Sequence, residues 1–280
     1  MILEQTRNNY LKAVCSNLLT IDPSGIPNNA DKHSKISTNL AKGIISEIGY
    51  KVTRRKKVAG QTAGKSFEDL TASYLEEAFA YLKHLRSGKF EFFISKSISE
   101  FEQYEHLAEL TQALKKNRTL KATLGDYLIN PDIVVGRYPV DDKEINSKAN
   151  LINNKTEVGT YTPLRMKNSS KLILHASISC KWTIRSDRSQ NSRTEGLNLI
   201  RNRKGKTPHI VIITAEPYPQ RIASLALGTG DIDCVYHFAL RELVATTHNL
   251  NNESVLDSLE TMVEGKRLRD ISDLPFDLAI

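Results

Sequence analysis

The segment from Leu174 to Lys181 constrains this chain more than any other. Leu174, Ala176, Ile178 and Cys180 alternate with His175, Ser177, Ser179 and Lys181. That period of two is a strand with one apolar and one polar face, and Lys181 emerges on the polar face at its end. Residues 189–203 then read as a helix, with Gly205 placed to stop it. Ile210-Val211-Ile212-Ile213 is a continuous apolar run of strand length, the pattern of a strand buried on both faces. Residues 92–94, 133–135 and 234–238 give further strands. Helices are expected over residues 4–19, 40–48, 99–116, 219–227, 239–249 and 253–264. This order predicts an α/β fold, a mixed central sheet flanked by helices. With 280 residues and no repeat or clear linker, a single domain over 1–280 is expected.

Composition excludes several classes. No apolar run approaches the roughly 20 residues that a membrane span needs, so no membrane partner is expected. The first residues lack the apolar core of a signal peptide. Cys15, Cys180 and Cys234 are few and far apart, without zinc-ligand spacing. They read as reduced thiols in a cytoplasm. The net charge of +7 permits a polyanionic partner without requiring one.

Residues 22–31 are turn-rich. Arg54-Arg55-Lys56-Lys57 is a basic run, either a solvated loop or a phosphate contact. Gly60-Gln61-Thr62-Ala63-Gly64-Lys65-Ser66 imitates a nucleotide-binding loop, but has three residues before Gly-Lys-Ser where four are needed. It also follows a basic run rather than an apolar strand. A glycine-rich loop ending in an N-cap at Ser66 is the plainer reading. The helix it opens carries Phe67, Leu70, Tyr74, Ala78, Leu82 and Leu85 on one face, and Gly88 closes it. Glu68 falls in its first turn, where the macrodipole alone favours an acid. Ser99 and Glu102 form a capping box for the 99–116 helix. Residues 141–170 read as a polar surface excursion.

The candidate chemistry clusters around the lysine strand. Arg185-Ser186-Asp187-Arg188 sets two guanidinium forks around one carboxylate. It reads either as a salt-bridged helix cap or as a reader of guanine and cytosine edges. Asp132 heads the β-branched strand Ile133-Val134-Val135. If that strand neighbours the lysine strand, Asp132 with nearby acids could hold Mg²⁺ while Lys181 orients or helps deprotonate a water for attack on a phosphate.

Pro131-Asp132, Ser179-Cys180-Lys181 and Glu195 resemble the variant PD-(D/E)xK signature of type II restriction endonucleases that cut CCGG-core sites. The similarity is near-continuous from Leu174 to the C-terminus. It is patchy before that, at Gly60-Gln61-Thr62, Phe67-Glu68 and Pro131-Asp132. It implies a restriction-endonuclease-like fold and Mg²⁺-dependent hydrolysis of both strands of duplex DNA, leaving 5′ overhangs. Asp132 and the Cys180 carbonyl would be metal ligands, Lys181 the catalytic lysine, and Glu68 and Glu195 supporting acids. The common signature has an acid two residues before the lysine. Here that place is Ser179, so Glu195 would supply the carboxylate from the following helix. Arg185, Asp187 and Arg188 match readers of the core, Arg221 and Asp31 readers of the outer base pair, and Gln61 a minor-groove contact. The resemblance further implies a GCCGGC site, a homotetramer of two back-to-back dimers and a linked cytosine methyltransferase. A DNA-binding protein without cleavage is the alternative; it would keep the Arg/Asp/Arg cluster but have no need of Asp132, Lys181 and Glu195.

Overall fold

A computed structural model describes residues 1–54, 60–116, 119, 129–153, 155, 157–228 and 230–280, with the side chains of 54, 60 and 186–189 excepted. Arg55, Lys56 and Lys57 of the basic run lie outside the described residues. Six strands form a sheet in the order β3-β4-β5-β6-β7-β8. They are Phe90–Ile94, Ile133–Arg137, Ile173–Lys181, His209–Thr214, Cys234–His237 and Leu268–Asp270. β3 and β4 are antiparallel, whereas β6, β7 and β8 run parallel. The sheet is therefore mixed. Two strands of two residues, β1 (Thr20–Ile21) and β2 (Thr53–Arg54), pair separately.

The helices are α1 (Ile2–Asn17), α2 (Lys35–Ile48), α3 (Gly60–Tyr81), α4 (His106–Lys115), α5 (Asp142–Ile145), α6 (Ser186–Asn202), α7 (Pro219–Ala226), α8 (Leu240–Asn249), α9 (Glu253–Glu264) and α10 (Leu274–Asp277). No described helix is long and apolar enough to cross a membrane. Contacts divide the chain into two compact units that alternate along the sequence. One comprises residues 1–86, 178–196 and 210–280, and the other residues 87–177 and 197–209.

In the first unit, α1 packs on α3, α2 on α8 and α7 on α9. Arg7 is buried between Asp270 and Glu242, with a forked contact to each. The chain order suggests a Ser66-capped helix, yet α3 begins at Gly60, so Ser66 lies inside it. Ala63 and Phe67 are both buried, which extends the apolar stripe back by one turn. Gly64 has open space where a Cβ would stand, so its cost is only that of one flexible residue. α3 ends at Tyr81 and a short 3₁₀ turn follows, so Leu85 is exposed and Gly88 opens β3 instead of closing the helix.

In the second unit, the expected Ser99 capping box does not form. Two 3₁₀ turns, Ile98–Glu100 and Glu102–Tyr104, precede α4. The cause is aromatic burial. Phe101 is extended and fully buried, and the buried Tyr104 hydroxyl donates to the Leu199 carbonyl at 2.9 Å. The 141–170 excursion is a built loop. Arg165, buried, makes forked bonds to Asp142 at 2.6 and 2.7 Å, and Asp141 caps α5.

Candidate active site and DNA-reading residues

β5 is an interior strand, and its alternation does not leave a wet face. Residues 176–180 are all buried, Ser177 and Ser179 included. Beyond it the first unit pins the chain at successive points. The Lys181 carbonyl accepts from the Thr214 hydroxyl at 2.8 Å and from the Ala215 N–H at 3.2 Å. Trp182 is buried edge-on against Phe67 of α3, with ring centroids 5.3 Å apart. The Ile184 side chain is buried, and its N–H donates to Glu216 Oε2 at 2.9 Å. Arg185 follows, exposed. A lysine and an arginine four residues apart thus stand on a rigid connector.

Glu195 is brought to the same strand. Ser179 Oγ lies 3.4 Å from its Oε2 as donor. The adjoining Gly196 lets α6 pass close to the backbone at Asp231, because a Cβ there would stand 2.6 Å from the Asp231 carbonyl oxygen. Glu68 is half-buried one residue after Phe67, and Lys65 Nζ approaches its Oε2 at 3.2 Å. Gln61 is exposed in the first turn of α3. Asp132 belongs to the other unit. It is half-buried at the head of β4, and its carbonyl accepts from the Ser95 N–H at 3.0 Å.

Asp31 and Arg221, 190 residues apart in sequence, form an ion pair in the first unit. The His33 N–H and the Arg221 guanidinium hold the Asp31 carboxyl below the usual range. Arg221 sits on α7, and its Nη1 also lies 3.9 Å from Oε2 of the fully buried Glu216. Asp187 and Arg188 fall in the first turn of α6, since the helix begins at Ser186 and not at 189. Their side chains lie outside the described residues.

The donor chemistry suits a hard cation. The metal ligands expected from the sequence, Asp132 and the Cys180 carbonyl, each offer oxygen only, and magnesium takes one or two carboxylates with waters making up the rest. Zinc would need several nitrogen or sulfur ligands. The three cysteines are buried and form no disulfide. Among the described residues no group of three His, Cys, Asp or Glu side chains is arranged around a common point.

A family model described as the NgoMIV restriction enzyme matches residues 10–280. The type II restriction enzyme NgoMIV of Neisseria gonorrhoeae is 47% identical over 286 residues, covering 100% of this chain and 99% of that protein. The chain belongs to the NgoMIV restriction enzyme family. As a member of the NgoMIV family it is a type II restriction endonuclease. Among solved structures, a complex of the restriction endonuclease PspGI with substrate DNA aligns over 78% of this chain and 61% of its own, at 14% identity and TM-score 0.36. The type IIF restriction endonuclease Bse634I with cognate DNA aligns over 80% and 79%, at 15% identity and TM-score 0.35.

Three residues beside the candidate positions carry no motif. Asn29, buried, donates from Nδ2 to the Ala215 carbonyl at 2.9 Å and so ties the segment bearing Asp31 to the end of β6. Thr214 holds the Lys181 carbonyl. Glu216 holds Ile184 and faces Arg221. The available sequence signal was an acid three residues after the apolar run 210–213 and just before Pro217, past a strand's carboxyl end, where α/β sheets place ligands.

Proposed function

We propose that this restriction endonuclease hydrolyses both strands of duplex DNA, with Mg²⁺, at a palindromic CCGG-core site, GCCGGC. The observation that carries the reading is the Ser179–Glu195 contact. It puts a carboxylate beside the strand position where the common nuclease signature has an acid and this chain has serine. A DNA-binding protein without cleavage has no use for that acid.

Asp132 and the Cys180 carbonyl would hold the ion, which when bound offsets charge on the phosphate and the leaving oxygen. Lys181 orients the attacking water and helps remove its proton. Its backbone anchor at Thr214 and Ala215 fixes the root of that side chain. Glu68 and Glu195 support the site as acids. Arg185, Asp187 and Arg188 read the core, with arginine forks on guanine and the aspartate accepting from cytosine N4. Arg221 and Asp31 read the outer pair, supported by their pairing on one face. Gln61 contacts the minor groove.

The working form is a homotetramer, a dimer of dimers that cuts two sites together. It acts in the cytoplasm beside a cytosine methyltransferase that protects the same site. A single endonuclease domain over residues 1–280 belongs to the same proposal. Plasmids bearing one or two GCCGGC sites, incubated with and without Mg²⁺, test the reading. Mg²⁺-dependent cutting that is faster with two sites is expected. Cutting that ignores the site refutes the specificity, and equal rates with only dimers in sedimentation refute the two-site form.

A further inference from the structure

The residues from Thr214, the last of β6, to Tyr218 touch the end of β5, the segment before Asp31, the connector that bears Arg185, and Arg221 of α7. Thr214 Oγ1 holds the Lys181 carbonyl, and the Ala215 carbonyl accepts from Asn29, two residues before Asp31. The Glu216 carboxylate is shared. Oε2 accepts from the Ile184 N–H at 2.9 Å and lies 3.9 Å from Arg221 Nη1, while Oε1 accepts from the Tyr218 N–H at 3.3 Å. The group is fixed from behind. Its backbone N–H donates to Thr214 Oγ1 at 3.1 Å, and its carbonyl faces His237 Nε2 at 3.2 Å. Since the Ala239 N–H donates to His237 Nδ1, that ring is neutral with its proton on Nε2, which donates to Glu216.

A buried carboxylate is costly unless hydrogen bonds compensate for the lost water. Here it links two stretches 37 residues apart. One is the connector that ends in the exposed Arg185; the other is the first turn of α7, which presents Arg221. From this geometry we infer that Glu216 is a positioning residue for sequence readout: it locks the core-reading connector and the outer-reading Arg221 into one register, so that the two parts of the site are read together. This rests on the assignment of Arg185 and Arg221 to base readout. Glu216 does not hold the catalytic lysine, whose carbonyl is held by Thr214 and Ala215, so specificity and chemistry separate. Loss of Arg221 would leave the buried carboxylate without its cation and weaken its grip on Ile184. That is the physical route by which one reader feels the other.

The test is competition binding in Ca²⁺ against duplexes changed at one base pair at a time, with single-turnover cleavage at saturating enzyme as the second readout. Glu216→Gln keeps the shape but sets an NH₂ group against one of its donors. It should lower discrimination at both the core and the outer pair by about tenfold, the size expected for a lost charge-assisted hydrogen bond. Non-specific affinity should move by less than about threefold, and the single-turnover rate on the cognate site should fall by less than the loss of discrimination. Unchanged discrimination in a folded Glu216→Gln protein overturns the inference. So does a loss that falls equally on every duplex. If this variant does not fold, the double-mutant cycle of Arg185→Ala and Arg221→Ala decides, because both side chains reach the surface. Coupling of about fivefold or more supports the shared lock, and additivity within about twofold overturns it. A failure of the readout assignment itself looks different. In that case the two arginine variants show no base-pair preference even with Glu216 intact.

Discussion

Ser179 Oγ lies 3.4 Å from Oε2 of Glu195 and joins the lysine-bearing strand to the helix that follows it. The contact has a specific consequence. Glu195→Gln keeps the volume and a hydrogen-bonding oxygen but removes the charge. Cleavage should fall about 100-fold or more, while the melting temperature shifts by only a few degrees, since a half-buried carboxylate contributes little to stability. Parallel losses in melting and in activity would return Glu195 to a structural role.

Asp132→Ala and Lys181→Ala should each abolish cleavage, because a hard cation loses its carboxylate or the water its orienting amine. Sequence-specific binding in Ca²⁺ should survive in Lys181→Ala. Gel-shift titration beside a plasmid assay measures both, and a near wild-type cutting rate in either variant removes that residue from the catalytic set.

Base readout makes a separable prediction. Arg185→Ala and Arg188→Ala should each cost about 10- to 100-fold in specific affinity, the worth of a forked arginine on guanine. Arg221→Ala should relax discrimination at the outer pair more than at the core. Phosphate contacts would instead weaken all duplexes alike and lower the salt slope. Competition binding over single-base-pair variants distinguishes the two patterns.

Glu216 and His237 give opposed pH dependences to stability. Burial pushes the Glu216 carboxyl up to about 7. The folded state therefore holds that proton more tightly than the unfolded chain. The contribution is full below the usual carboxylate range and fades as pH rises through about 7. Burial pushes His237 down to about 4. Its contribution is full above the ordinary histidine range near 6.5 and is lost as pH falls through about 4. Between about pH 4.5 and 6.5 the two slopes offset each other. In Glu216→Gln only the histidine slope remains, so the variant should gain on the wild-type protein by about 3 kcal/mol between pH 4.5 and 7. Denaturant titrations at several pH values check this, and parallel stability curves would contradict it.

The strand–helix unit from Leu174 onward was legible because periodicity, a lysine at the strand end and a glycine stop all agree locally. Long-range burial hid other features. Residues 60–66 look like a loop, but Ala63 joins the apolar stripe of α3 and makes them helical. Ser99 looks like a cap, but burial of Phe101 and Tyr104 bends that stretch into 3₁₀ turns. Ser177 and Ser179 look wet until both faces of β5 are covered. Among the site residues, Lys181, Glu195, Asp31 and Arg221 carry a recognisable pattern. Glu216 and Asn29 do not, since their importance lies in partners 32 and 186 positions away.

The most direct measurement is digestion of a sequenced plasmid by the purified protein, with and without Mg²⁺, and with the ends mapped to the nucleotide. Breaks in both strands within GCCGGC, only with Mg²⁺ and with 5′ overhangs, are predicted. Breaks at unrelated sequences, or none at a GCCGGC site under Mg²⁺, would contradict the assignment of this chain's cleavage and readout residues.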